Sequence, residues 1–212
     1  MIELNSIIHA DCMDIMKDIP DKYFELAVVD PPYANNLSGG HSKKNGWNEN
    51  IAWTKAQDGW NSIKPDKEYF YELKRASKNL IIWGGNYFSS MLEDSEGWIF
   101  WDKGQRNFSL ADGELAYSSF DRALRVFTFT RAKNNKLERF HPTQKPVALY
   151  RWLLQNYAKP GDKIIDTHSG SGSCAIACHL EKFDFLAIEK DKDYYEASVK
   201  RLDEVRSQGV LF

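Results

Sequence analysis

Lys163 to Ala177 reads KIIDTHSGSGSCAIA: a short β-branched run closed by an acid, a turn with two glycines, then small apolar residues suited to a helix. Strand, glycine turn and helix in that order bring a ligand to a helix N-terminus. Gly170-Ser171-Gly172-Ser173-Cys174-Ala175 fits the looser dinucleotide fingerprint, and Glu189 closes the next strand, FLAIEK, where a ribose-binding acid belongs. Asp166 discriminates between ligands. A carboxylate just before the turn repels a pyrophosphate but suits the ammonium of a methionine moiety, which favours S-adenosylmethionine over NAD. No lysine follows the glycines, so a phosphate-binding P-loop is excluded.

Outward from this turn, apolar runs alternate with helical patterns. SIIHA, FELAVV, NLIIWG and KIID read as buried strands, and GWIFWDK, ELAYSS and LRVFTF as strand-like. Helices are expected at MDIMKDI, from about Asp66 to Ser77, briefly at YFSSML, and at SCAIACHLEK. Val147, Tyr150, Leu154 and Tyr157 give one further helix its apolar stripe; Tyr195, Val199, Leu202 and Val205 give the last. The alternation predicts an α/β fold with an open, mostly parallel sheet and helices on both faces. A length of 212 residues suits a single domain over residues 1–212 with insertions.

A hydrophobic fraction of 42% and seven tryptophans argue for a folded globule, with no run long enough for a membrane span. The start, MIELNSIIHADC, does not read as a signal peptide, so a soluble cytoplasmic protein with no membrane partner is expected. Three cysteines provide no disulfide framework, and Cys174 and Cys178 read as reduced core thiols. His41 and His179 stand alone, and no metal is assigned.

The net charge of −2 does not suggest a polyanion binder, but six basic residues against two acids between Asp121 and Phe140 form a local basic cluster. Residues 34 to about 62 lack periodicity, and aperiodic stretches of that length in compact domains are usually functional or disordered. Trp47, Trp53 and Trp60 there, interleaved with Lys43 and Lys44, resemble a nucleic-acid contact surface. Trp83, Trp98 and Trp101 lie in apolar runs, with Trp101 the candidate to approach a base.

Asp30-Pro31-Pro32-Tyr33 follows the strand FELAVV. The prolines stiffen the backbone and lack N–H donors, leaving the Asp30 carboxylate and Pro31 carbonyl as acceptors beside the Tyr33 ring. That set suits a planar amino group lying on an aromatic face. An exocyclic base amine is a poor nucleophile, and two acceptors on its hydrogens hold it for in-line attack on a sulfonium methyl. If LAVVD and KIID are neighbouring strands at the switch point of the sheet, Asp30 and Asp166 open onto one crevice.

DPPY followed by HPTQKP and then DTHSGSGS resembles the beta class of DNA amino-methyltransferases, whose catalytic motif precedes the cofactor motif. HADC, LIIWGGNYF and GWIFWDKG are similar to that family's flanking segments, particularly in its small phage and mobile-element members. The resemblance implies a Rossmann-like, S-adenosylmethionine-dependent methyltransferase fold with circularly permuted motifs. It implies methylation of the 6-amino group of a flipped-out adenine in double-stranded DNA, with the cytosine 4-amino group as the alternative. Asp30, Pro31, Pro32 and Tyr33 would form the base site. Asp166, Gly170 and Gly172 would cradle the methionine part, Glu189 the ribose and Asp11 the adenine of the cofactor, with Lys145 near its carboxylate.

The usual DPF-x-GSGT reads DTHSGSGS, with Thr167, His168 and Ser173 as departures; His168 would stack on the cofactor in place of a phenylalanine. With no large recognition domain, DNA contact would fall to the insertion at about 34–62, including Lys43, Lys44 and Trp47, and to Trp101, Lys103, Arg106 and Phe108. A homodimer is compatible with this reading; neither a restriction endonuclease partner nor a recognition sequence can be read from the residues. The rivals are a methyltransferase for another planar amine on protein or RNA, a NAD-dependent oxidoreductase, and a DNA-binding protein with a decayed methyltransferase fold.

Overall fold

Val, Ile and Leu without polar alternation mark strands covered on both faces, and eight strands form one sheet. A computed structural model describes residues 2–33, 64–107, 111–130, 141 and 144–208. The strands are β1 (Ser6–His9), β2 (Phe24–Val29), β3 (Ser77–Trp83), β4 (Ile99–Asp102), β5 (Gly113–Ser118), β6 (Arg125–Thr128), β7 (Lys163–Asp166) and β8 (Asp184–Glu189). Their order is β1-β8-β7-β2-β3-β5-β4-β6. Every neighbouring pair is parallel except the two involving β5, which runs antiparallel to β3 and β4.

Alternate side chains of the central strands feed two cores. Leu26, Val28, Ile81, Ile164 and Ala187 enter one, beneath α3 (Val147–Tyr157), α4 (Ser173–Glu181) and α5 (Lys192–Gln208). Ala27, Val29, Ile82, Ile165 and Leu186 enter the other, beneath α1 (Cys12–Met16) and α2 (Lys67–Ala76). The result is a three-layer, Rossmann-like α/β/α sandwich, as the sequence pattern predicts.

Local signals set several boundaries. The Asp66 side chain caps α2 by accepting from Tyr69 N–H at 3.1 Å, and Glu68 at its start with Lys74 and Arg75 at its end suit the helix dipole. The short helix expected at YFSSML is two 3₁₀ turns, Gly85–Tyr87 and Ser89–Met91. Both predicted core thiols in α4, Cys174 and Cys178, are buried and free. The insertion at 34–62 lies outside the described residues.

The strand order places the switch point where expected. β7 pairs with β2, Leu26 opposite Ile164 and Ala27 opposite Ile165, and its other neighbour is β8. From β7 the chain crosses through α4 to β8; from β2 it passes to β3 in the opposite direction along the sheet. The crossovers that leave the carboxyl ends of β2 and β7 therefore part, and a crevice opens between them.

Gly84, just after β3, has φ +68°, and a Cβ built on it would lie 2.2 Å from Cε1 of Tyr33. The Tyr33 ring rests on this glycine. Gly84→Ala should cost about 1–2 kcal/mol for the left-handed backbone and about 1–3 kcal/mol more for the clash. In a Tyr33→Ala background the clash part should vanish, so a double-mutant cycle by urea unfolding should show strong non-additivity.

Candidate active site

Asp166 ends β7 in the crevice and is only 4% exposed. It accepts from His168 N–H at 3.1 Å, the one hydrogen bond it receives among the described residues. Burial, reinforced by the nearby charges of Asp30 and Glu189, pushes its pKa up to about 8. A carboxylic acid buried without a matching cation is the natural receptor for an ammonium group.

The glycine turn is built around this acid. Gly172, at φ +72°, starts α4, and a Cβ there would come within 3.1 Å of Ser198 Cβ. Gly170 N–H donates to Glu189 Oε2 at 2.7 Å, and Asp191 N–H donates to Glu189 Oε1 at 2.8 Å. The strand-terminal glutamate is thereby fixed in place by backbone donors; burial raises its pKa. Arg201 of α5 clamps the far side, donating from Nη1 to Ser171 O and Ser173 Oγ, each at 2.9 Å. The Ser169 hydroxyl is buried with no partner among the described residues.

His168 occupies the departure from the family pattern. Its ring meets Tyr69 edge-on at 5.3 Å, and its Nδ1 lies 3.0 Å from Thr167 Oγ1. Burial holds its pKa down at about 4, so the imidazole is neutral near pH 7. A neutral ring can pack on a cationic ligand without repelling it. Asp11 caps α1 through Met13 N–H and pairs with Lys190 at 2.7 Å, and these contacts hold its carboxyl below the usual range. Asp11, Asp166, His168, Gly170, Gly172 and Glu189 thus gather at the carboxyl ends of β1, β7 and β8. The buried acid without an ion pair, the glycine cradle and the Ser169 hydroxyl suit a ligand that carries an ammonium group, as S-adenosylmethionine does.

The second half of the crevice belongs to Asp30. Its Oδ1 accepts from the Tyr33 hydroxyl and its Oδ2 from Lys145 Nζ. Lys145 is 3% exposed and also lies 3.3 Å from Glu114 Oε2, at the start of β5. Lys103 pairs with the other oxygen of Glu114. Burial works against the Lys145 ammonium, but Asp30 and Glu114 outweigh it and hold its pKa above the usual lysine range. Burial likewise opposes the Glu114 carboxylate, yet the two lysines hold its pKa low. The Tyr33 phenol, pushed well up by burial and by Asp30, stays protonated. Its ring stacks on Tyr87 at 5.1 Å and meets Phe88 edge-on at 6.0 Å.

Lys145, expected beside the cofactor carboxylate, has its ammonium between Asp30 and Glu114, where the buried anions lie. Trp101, expected to approach the base, is 2% exposed; it packs edge-on against Trp83, and its indole N–H donates to Phe129 O at 3.0 Å. It is a core residue because it belongs to β4, whose inward positions are buried. Lys103 is occupied by Glu114 and lies over the Trp101 ring, while Arg106 is exposed and paired with Asp102 at 2.9 Å. Lys43, Lys44, Trp47 and Phe108 lie outside the described residues. Sequence reasoning missed Glu114, Tyr69, Tyr87 and Arg201. Glu114 carried one unused signal, an acid opening an otherwise apolar strand.

Neither Cys12 nor Cys174 offers a thiolate to the crevice. Burial raises the Cys12 thiol to about 12, and the Cys178 contact together with burial raises Cys174 well above its ordinary value. Among the described residues, no group of acids, histidines and cysteines could hold a metal ion, and no helix is long and apolar enough to cross a membrane.

This geometry defines a Rossmann-like α/β fold with an acid-led glycine turn and an acceptor-lined crevice at the switch point. A family model described as DNA methylase, covering N6 and N4 enzymes, matches residues 41–200. The chain belongs to that family, the beta-class amino-methyltransferases, which uses S-adenosylmethionine. It is 24% identical to the type II methyltransferase M.HinfI of Haemophilus influenzae, over 96% of this chain and 69% of that protein. It is 23% identical to YubD of Escherichia coli strain K12, over 96% of this chain and 92% of that protein. Among solved structures, the M1.HpyAVI–SAM complex superposes with a TM-score of 0.62 at 20% identity, covering 92% of this chain and 98% of that one. The cytosine-N4-specific PvuII DNA methyltransferase superposes at 0.60 with 12% identity, covering 96% and 91%.

The raised pKa of Asp166 has a consequence for stability. The native state retains a proton that the unfolded chain releases at the ordinary aspartate value of 3.8, so this group's contribution falls as pH rises from about 4 to about 8. Asp166→Asn should therefore stabilise the cofactor-free protein, by more at pH 8 than at pH 5, in denaturant titrations. It should weaken S-adenosylmethionine binding in calorimetry at both.

Proposed function

We propose that the protein methylates the exocyclic 6-amino group of an adenine flipped out of double-stranded DNA. The observation that carries the reading is the Asp30 carboxylate, held at the carboxyl end of β2 beside the Tyr33 ring and across the switch point from Asp166. The amine needs an acceptor turned toward the cofactor, and the Asp30 carboxylate, across the switch point from Asp166, would supply it. Flipping costs a few kcal/mol, which stacking on Tyr33 offsets in part.

Held by Asp166 and Glu189, S-adenosylmethionine would supply the methyl as a sulfonium, its C–S pair returning to sulfur as the amine nitrogen takes the carbon and gives up one proton. Asp30 and the Pro31 carbonyl accept the amino hydrogens and favour a nitrogen whose lone pair is free of the ring. Asp30 is also the nearest acceptor for the released proton. Asp166 and Glu189 hold the cofactor, and the neutral His168 packs against it. The raised thiols of Cys12 and Cys174 support amine over ring-carbon chemistry, which requires a thiolate nucleophile. Asp rather than Ser before the prolines favours adenine; the cytosine 4-amino group presents the same donors and is the second reading. Sequence recognition falls to the insertion at about 34–62 and the segment from Lys103 to Phe108.

Asp30→Ala should bind cofactor normally yet lose about 10² to 10³ in methylation rate, the scale of one preorganised electrostatic contact. Mass spectrometry of digested DNA should find 6-methylaminopurine. A 4-methylaminocytosine product would change the base; a ring-carbon methyl, or NADH binding in place of S-adenosylmethionine, would overturn the mechanism.

A further inference from the structure

The Asp30 carboxylate does not stand alone in the crevice. Lys145, from the segment preceding α3, bridges Asp30 just after β2 and Glu114 on β5, and Lys103 closes the row on the far side of Glu114. Two acids and two bases alternate, so the row is neutral. Lys145 is almost wholly buried, between the Tyr33 ring at 5.9 Å and the Trp83 ring at 5.3 Å. A lysine there stays charged only with anions on more than one side. It is therefore too costly to be an incidental surface pair, and neither Glu114 nor Lys145 is needed to close the sheet.

A carboxylate turns about its terminal bond, and an acceptor for an amine must keep one oxygen pointed at the nitrogen. Lys145 fixes Oδ2. The Tyr33 hydroxyl takes Oδ1 in the base-free protein and is the donor an incoming amine must replace. Lys145 can hold its own position only if its ammonium is tethered elsewhere; Glu114 is the charged tether, beside a longer contact to the Tyr33 hydroxyl at 3.4 Å.

We propose that Glu114, acting through Lys145, is a positioning residue that sets the Asp30 carboxylate toward the target amine, while the Tyr33 hydroxyl occupies the amine's acceptor until the base arrives. This rests on the reading of Asp30 given above. Glu114→Gln keeps the shape and removes the charge. It should lower kcat by about 10- to 100-fold, the cost of a small misplacement of a reacting group, with the KM for DNA and the affinity for S-adenosylmethionine unchanged. Glu114→Asp should recover part of the rate. Because both residues act on one group, Glu114→Gln in an Asp30→Ala background should cost nothing further.

Steady-state kinetics on the wild type and these four variants, with thermal melts and cofactor calorimetry, decide the matter. Wild-type kcat in folded Glu114→Gln, or losses that add in the double variant, would overturn the positioning role while leaving Asp30 in place. A loss of cofactor affinity matching the loss of rate would show a merely structural pair and overturn it too. Full activity in Asp30→Ala alone would instead remove the reading on which the proposal stands.

Discussion

The parallel pairing of β2 with β7 is the constraint on which the site depends. Leu26 opposite Ile164 and Ala27 opposite Ile165 set two strands from opposite ends of the chain in register. Their terminal acids then come out on the same edge of the sheet. Because β7 continues to β8 on one side and β2 to β3 on the other, the crossovers part and leave room between them. Each strand is apolar on both faces, so a slip of one residue would exchange the side chains of the two cores. Burial on both sides thus holds the register that aligns Asp30 with Asp166.

Within the crevice, charge compensation separates two roles for the same chemical group. Asp30 is matched by a buried lysine that is itself held by a second acid, which makes it a fixed acceptor. Asp166 has burial and like charges around it and a single backbone donor, which drives it toward its neutral form. A compensated carboxylate can orient a neutral amine; an uncompensated one awaits a cation. The fold produces this difference because β5, antiparallel beside β3, brings Glu114 to the same end of the sheet as Asp30 and gives Lys145 a second anion.

Much of the fold was legible because burial on both faces writes itself into composition. FELAVV, KIID and FLAIEK are strands with few alternatives, and Asp66 with its downstream basic residues marks a helix from cap to end. The antiparallel insertion of β5 between β3 and β4 was not legible, since ELAYSS has the same pattern whichever way it runs. Trp101 shows the same limit: an aromatic beside a basic motif resembles a contact surface until the strand's inward side is known.

The sequence by itself determined the class of chemistry: an acid, two prolines and a tyrosine after one strand, and an acid with a glycine turn after another, are local patterns whose meaning survives without coordinates. The reading of Asp166 as a receptor for an ammonium rests on the sign of a carboxylate's charge, which is a property of the residue. Only the tertiary structure decided what Lys145 does, because an ammonium goes to whichever anions the fold buries beside it. Glu114, Tyr69 and Arg201 belong to the site through neighbours distant in sequence, and contacts of that kind leave no local signature.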